Sequence, residues 1–189
     1  MSKMTLFHGS PFLFDKFDLG GAGEGTGIKF GFGVYLTEVE ASAVHYSQPR
    51  NLELMPEHYL YTVEIPALTE DNHLLSARPV APTIIYKVEQ KLGVDVPDKV
   101  KSQGKDFRKW VGMTLTGGKK AGFAEEKAAA ELLNSLGILY NVWPQAQSKP
   151  DGPKNIAVFD AANVTIVKRE KIEIENKSKK WILVSKEEV

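Results

Sequence analysis

Seven of the fifteen residues from Leu19 to Gly33 are glycine, and no regular helix or strand is expected at that density, because each glycine adds backbone freedom that folding must remove. The segments on either side must therefore meet across a long irregular loop. Before it lies Met4-Thr5-Leu6-Phe7-His8, short and β-prone, closed by Gly9-Ser10-Pro11, which puts His8 at a strand end. After it comes Val34-Tyr35-Leu36-Thr37, read as a second short strand, then a helix from Glu38 to Tyr46 with Thr37 placed to cap it. A glycine loop between two such strands suits a mobile segment that wraps a ligand closely.

The remaining 150 or so residues bound the possible chemistry. A chain of 189 residues, 42% apolar, suits one domain with a proper core. The 24 Lys and Arg balance 24 Asp and Glu, so no long-range field gathers nucleic acid or anionic lipid, and a phosphate-bearing partner must be held by local geometry. Without cysteine there is no disulfide, thiolate zinc site or cysteine nucleophile, and no metal site is expected. The first ten residues do not read as a signal peptide and no apolar run reaches 18 residues, so a soluble, cytoplasmic protein with no membrane partner is expected.

Further along, Tyr59 to Ile65 alternates and is β-branched, a strand closed by Pro66. Helical spacing follows over Pro82 to Leu92, Asp98 to Leu115 and Ala124 to Leu136. Strands are expected at Ile138 to Trp143, Ile156 to Phe159 and Val164 to Val167, with an exposed loop from Gln145 to Lys154. The charged stretch after Lys168 reads as an edge hairpin or a partly mobile tail, which sets a boundary between residues 1–168 and 169–189, with a helical insertion over about 80–120.

The glycine loop is neither a Rossmann fingerprint nor a phosphate-binding P-loop, since it lacks both the helix-opening pattern and a Gly-Lys-Ser/Thr ending. The order of motifs is more informative. His8-Gly9-Ser10, the glycine loop, Gly31-Phe32-Gly33-Val34-Tyr35-Leu36 and then Ala43-Val44-His45-Tyr46, with eleven residues from Tyr35 to Tyr46, resembles the NAD-binding core of the ADP-ribosyltransferase superfamily. The likeness is to its His-Tyr-Glu, poly-ADP-ribose-polymerase-like branch. Tyr61-Thr62-Val63-Glu64-Ile65-Pro66, Leu136-Gly137-Ile138 and Asn155-Ile156-Ala157-Val158-Phe159-Asp160 are similar to segments of the compact ADP-ribosyltransferase-like effector and toxin modules of phage and bacterial conflict systems.

That resemblance implies an α+β fold of two small, mostly antiparallel sheets forming an NAD cleft, with the helices packed to one side. It implies mono-ADP-ribosyl transfer from NAD to a protein or nucleic-acid acceptor, a protein being favoured, with release of nicotinamide. By the same likeness His8, Tyr35 and Asn155 are the catalytic set. Gly9 grips the nicotinamide carboxamide, Tyr35 and Tyr46 stack on the ring, Ser10 and the loop with Gly31 lie along the adenosine and diphosphate, and Ser42 helps to hold the carboxamide in place of Ala43. The physics of a flat carboxamide ring held between two tyrosines beside a side-chain-free backbone agrees with these roles.

The branch's catalytic Glu falls on Asn155, which can orient a ribose hydroxyl but carries no charge. A replacement carboxylate is sought in Glu24, Glu125, Glu126 or Asp160, although Glu125 and Glu126 equally suit the N-terminal charge of a helix and Asp160 should point away from Asn155. Two other readings stay open: a module that binds NAD or ADP-ribose without turnover, and an NAD glycohydrolase acting as a toxin.

Overall fold

Tyr59, Tyr61, Val63 and Ile65 point to one side of a strand and Leu60 to the other, and this period of two builds the strand on which the fold is assembled. A computed structural model describes residues 1–21, 28–50 and 53–189. Among these, the chain forms β1 (Lys3–Ser10), β2 (Val34–Thr37), α1 (Glu40–Tyr46), β3 (His58–Pro66), β4 (His73–Leu75), α2 (Pro82–Leu92), α3 (Asp98–Lys101), α4 (Gly104–Thr116), α5 (Phe123–Ser135), β5 (Tyr140–Pro144), β6 (Lys154–Val158), β7 (Thr165–Lys177) and β8 (Lys180–Glu188).

The strands join into one eight-stranded sheet in the order β4-β5-β6-β2-β1-β3-β7-β8. This corrects the expectation of two separate sheets, within a class that is α+β as expected. The joint between the halves is narrow: β1 and β2 pair only at Phe7 and Thr37, whereas β1 pairs with β3 along its whole length. The sheet is mixed because β4 runs parallel to β5, and every other pairing is antiparallel.

The two halves curl over a shared core. The Tyr140 hydroxyl on β5 donates to the Pro66 carbonyl at the end of β3 at 2.7 Å, although the two strands are not neighbours in the sheet. Between them lie Leu6, Val34, Tyr61, Val63, Val142 and Ile156, all buried. A separate core forms where α2 to α5 pack beside β4, through Leu74, Ile84, Val88, Phe107, Ala129 and Leu133.

Local chemistry sets the element ends. Proline opens α2, and left-handed Gly93 closes it, as does Gly117 for α4. The single helix expected over Asp98 to Leu115 is divided, because Gln103 is extended and Gly104 sits so close to β4 that a side chain there would meet the Leu75 carbonyl at 2.5 Å. The three-residue β4 carries too short a pattern to be read from sequence. The helix α1 starts at Glu40 with Val39 as its cap, and Thr37 instead accepts the Val39 N–H at 3.1 Å as a local turn.

The C-terminal stretch is an ordered hairpin. β7 lies between β3 and β8, and it runs unbroken across residues 168 and 169, where the sequence suggested a boundary. No helix among the described residues is long and apolar enough to cross a membrane.

Gly9 shows how tightly α1 is laid on β1. A Cβ at this position would stand 1.8 Å from the Ala43 carbonyl oxygen and 2.8 Å from the Ser47 nitrogen, so both backbones would have to part. Gly9→Ala is expected to destabilise the protein by about 2 kcal/mol or more, in the range of overpacked cores, as measured by urea unfolding.

Candidate active site

The expected residues lie on both faces of the narrow joint between β1 and β2: His8 shares the face of Tyr61, its partner on β3, whereas Tyr35 and Asn155 share the opposite face with Phe7, Thr37 and α1. His8 Nδ1 lies 2.8 Å from the Tyr35 carbonyl oxygen, spanning the two strands beyond their single paired position. A carbonyl only accepts, so Nδ1 carries the proton. Burial among Phe17, Tyr61 and Phe14 holds the imidazole below its ordinary pKa, against the opposing pull of the Tyr35 carbonyl, and the ring is neutral near pH 7. Nε2 is then an acceptor with no partner among the described residues.

Tyr35 is fixed at both ends. Its hydroxyl donates to the Gly31 carbonyl at 2.8 Å and accepts the Phe30 N–H at 3.1 Å. Burial pushes its pKa up to about 12, so the phenol stays protonated. The loop it holds requires glycine, since Gly31 has φ +103° and a side chain there would press on Arg108.

Strand register puts four residues on one face. Thr37 pairs with Asn155, Tyr35 with Ala157, and Asn155 with Trp143, so Tyr35, Thr37, Asn155 and Trp143 project together. Trp143 meets the Tyr35 ring edge-on at 5.5 Å and stacks on Phe30 at 4.1 Å. Asn155 is half-buried, and its side chain makes no hydrogen bond among the described residues. Lys154 beside it donates its N–H to the Glu38 carboxylate at 2.6 Å, which ties the start of β6 to the end of β2.

The same face carries α1. Ser42 accepts the Gln145 amide N–H at 2.5 Å, while Ala43 is buried under β1. Ser42 and Tyr46 are one turn apart, so they share a side of the helix. Tyr46 is 50% exposed, and its ring makes no contact with Tyr35 among the described residues.

Other expected residues have partners within the fold. The absent side chain of Gly9 makes room for α1, so close helix packing accounts for glycine at this position. Ser10 is buried and its hydroxyl accepts the Phe12 N–H at 3.1 Å. Glu125 accepts the Gly122 N–H at 2.9 Å and closes the first turn of α5, as its place at the helix start allowed. Asp160 caps the Ala161–Asn163 turn through the Ala162 N–H. Glu24 lies outside the described residues.

Glu126 departs from the helix-terminus role. It is buried and receives Arg108 Nε at 2.6 Å and Nη2 at 3.2 Å, both side chains being at most 4% exposed. Arg108 packs against Gly31, and Asn141 donates to the Phe30 carbonyl at 2.8 Å, so the segment that carries the Tyr35 hydroxyl is braced from below by polar groups. Sequence reasoning missed Trp143, Phe30 and Arg108. The one available signal was an arginine in the middle of the apolar stripe of α4, beside Phe107 and Val111.

No protein-family model, curated protein or solved structure matches this chain.

Removing one partner of a buried pair leaves the other charge unpaired. Glu126→Ala is expected to cost about 3–5 kcal/mol, whereas the double replacement Arg108→Met with Glu126→Leu should recover much of that loss, as read from paired denaturation curves.

Proposed function

We propose that the chain is a mono-ADP-ribosyltransferase that moves ADP-ribose from NAD to a macromolecular acceptor and releases nicotinamide. The observation that carries this reading is the β1–β2 joint: two strands held by one pair, bridged by His8 to the Tyr35 carbonyl, with Tyr35, Asn155, Ser42 and Tyr46 around it. Beyond Phe7 and Thr37 no β2 residue pairs with Gly9, and this reading places the carboxamide along that unpaired stretch. The Tyr35 and Tyr46 rings, which do not touch, suit a flat ring taken up between them.

In the reaction, the bond between nicotinamide N1 and ribose C1′ breaks, and its electron pair neutralises the departing ring. The acceptor then donates a lone pair to C1′ and releases its proton to solvent. His8 Nε2 accepts a ribose hydroxyl, and the Asn155 amide orients the other ribose. Binding NAD with its leaving group held in place supplies much of the acceleration without a full negative charge. The acceptor is a protein or a nucleic acid, with a protein favoured by the zero net charge.

A second reading, a module that holds NAD or ADP-ribose without turnover, is favoured by one feature, the uncharged Asn155 where a carboxylate would stabilise an oxocarbenium-like transition state. Water as acceptor would make the same site a glycohydrolase.

Incubation with NAD labelled on its adenine side, in a cell lysate, separates these readings. Transfer predicts a labelled macromolecule and free nicotinamide, with labelling reduced roughly tenfold or more by His8→Ala or Asn155→Ala, equivalent to about 1.4 kcal/mol of transition-state stabilisation. Nicotinamide without label means hydrolysis, and NAD binding with neither means a binding module.

The pH dependence follows from His8. Its pKa in the folded chain lies below the unfolded value of 6.5, so the unfolded chain binds more protons as pH falls from 6.5 towards the folded value, and stability decreases over that window. The Nε2 acceptor is lost only below the folded pKa. NAD affinity measured by calorimetry should therefore hold as pH falls through 6.5 and drop at lower pH, and His8→Gln should remove that drop.

A further inference from the structure

His45 Nε2 and Arg50 Nη2 set two hydrogen-bond donors 3.5 Å apart. The Trp181 backbone N–H donates to His45 Nδ1 at 3.1 Å, so that nitrogen is bare and the neutral ring keeps its proton on Nε2. Burial, with the nearby charges of Arg50 and Lys180, holds the His45 pKa below its ordinary value and keeps the ring neutral. Nε2 stands 3.5 Å from Arg50 Nη2, which is a donor in every state of the side chain. Two donors at this spacing cannot satisfy each other, and the oxygens of one carboxylate would satisfy both.

The surroundings match an anion. A depression of about 290 Å³ opens here, lined by His45, Gln48, Arg50, Leu54, Lys179 and Trp181, with no carboxylate in its wall among the described residues. In the β7–β8 hairpin, Lys168, Lys171, Lys177 and Lys186 each pair with a glutamate, whereas Lys179 and Lys180 form no ion pair among the described residues. Arg50 likewise has no carboxylate partner among them. Lys179 lies in the wall and stands at φ +65° in the turn, a conformation that favours glycine or asparagine.

We propose that this depression docks a glutamate or aspartate side chain of an acidic segment on the acceptor protein. His45 and Arg50 take the carboxylate, Lys179 adds charge, and Leu54 and Trp181 receive the methylenes. Among the described residues the wall holds two cations, Arg50 and Lys179, with the exposed Glu53 beside Leu54, whereas a nucleic-acid backbone needs a continued track of them. The role as an acceptor dock rests on the transferase reading: the Arg50 guanidinium lies 6.0 Å from the Tyr46 ring, which that reading stacks on nicotinamide.

The test uses the full chain at low salt without NAD. Fluorescence anisotropy follows a labelled ten-residue glutamate peptide and, separately, a labelled oligothymidylate of equal charge, with wild type, Arg50→Ala and Lys179→Ala, each checked for unchanged thermal unfolding. The peptide is expected to bind wild type and to weaken roughly tenfold with Arg50→Ala. Absence of peptide binding, an affinity unmoved by Arg50→Ala, or tighter binding of the oligothymidylate would overturn the proposal. Because NAD is absent, a failure of NAD turnover would remove the transferase reading and leave the peptide result unaffected.

Discussion

The pairing of Phe7 with Thr37 is the hinge of the molecule's architecture. One backbone pair makes eight strands into a single sheet, and its isolation lets the halves turn towards each other until Tyr140 reaches Pro66. A fully zipped β1–β2 ladder would pair His8 with Leu36 and Gly9 with Tyr35 and leave no gap between their strands. A missing joint would separate the core that both halves share. The site and the core thus depend on the same partial pairing, and the imidazole bridge from His8 to the Tyr35 carbonyl takes over where the ladder stops.

Around that joint the packing is close where the helix lies and open where the strands part. Gly9 allows α1 to rest on β1 at backbone contact, which fixes the helix that carries Ser42 and Tyr46. Tyr35 is held by its hydroxyl to the Phe30–Gly31 segment, and that segment rests on Arg108 and Asn141. The helical region therefore reaches the site through a polar brace. A charge pair buried in an apolar layer gives a defined geometry, because the guanidinium and carboxylate satisfy each other in only a few arrangements.

What the sequence made legible follows from the range of each signal. Strands with strong alternation, such as Tyr59 to Ile65, and helices with clear stops, such as the one ending at Gly93, were placed closely, since neighbouring residues decide them. The break at Gln103 was hidden because it comes from contact with Leu75, about thirty residues away in the chain. One sheet instead of two hung on a single long-range pair that no local pattern encodes. At the candidate site, His8, Tyr35 and Asn155 lie in short motifs that sequence can propose. Trp143 does not, because its place beside Tyr35 comes from the register of β5 against β6. Glu126 read as a helix-terminus acid because its partner, Arg108, lies on a different helix.

A sheet with two open margins invites other strands to add to it, and this one closes both without joining into a barrel. The β4 margin is three residues long, too short to template a ladder. The β8 margin is long, but Lys180, Lys186, Glu187 and Glu188 place charge along it, and a second copy laid alongside would have to strip water from those groups. The hairpin that buttresses α1 thus also guards the protein against fibrous self-association.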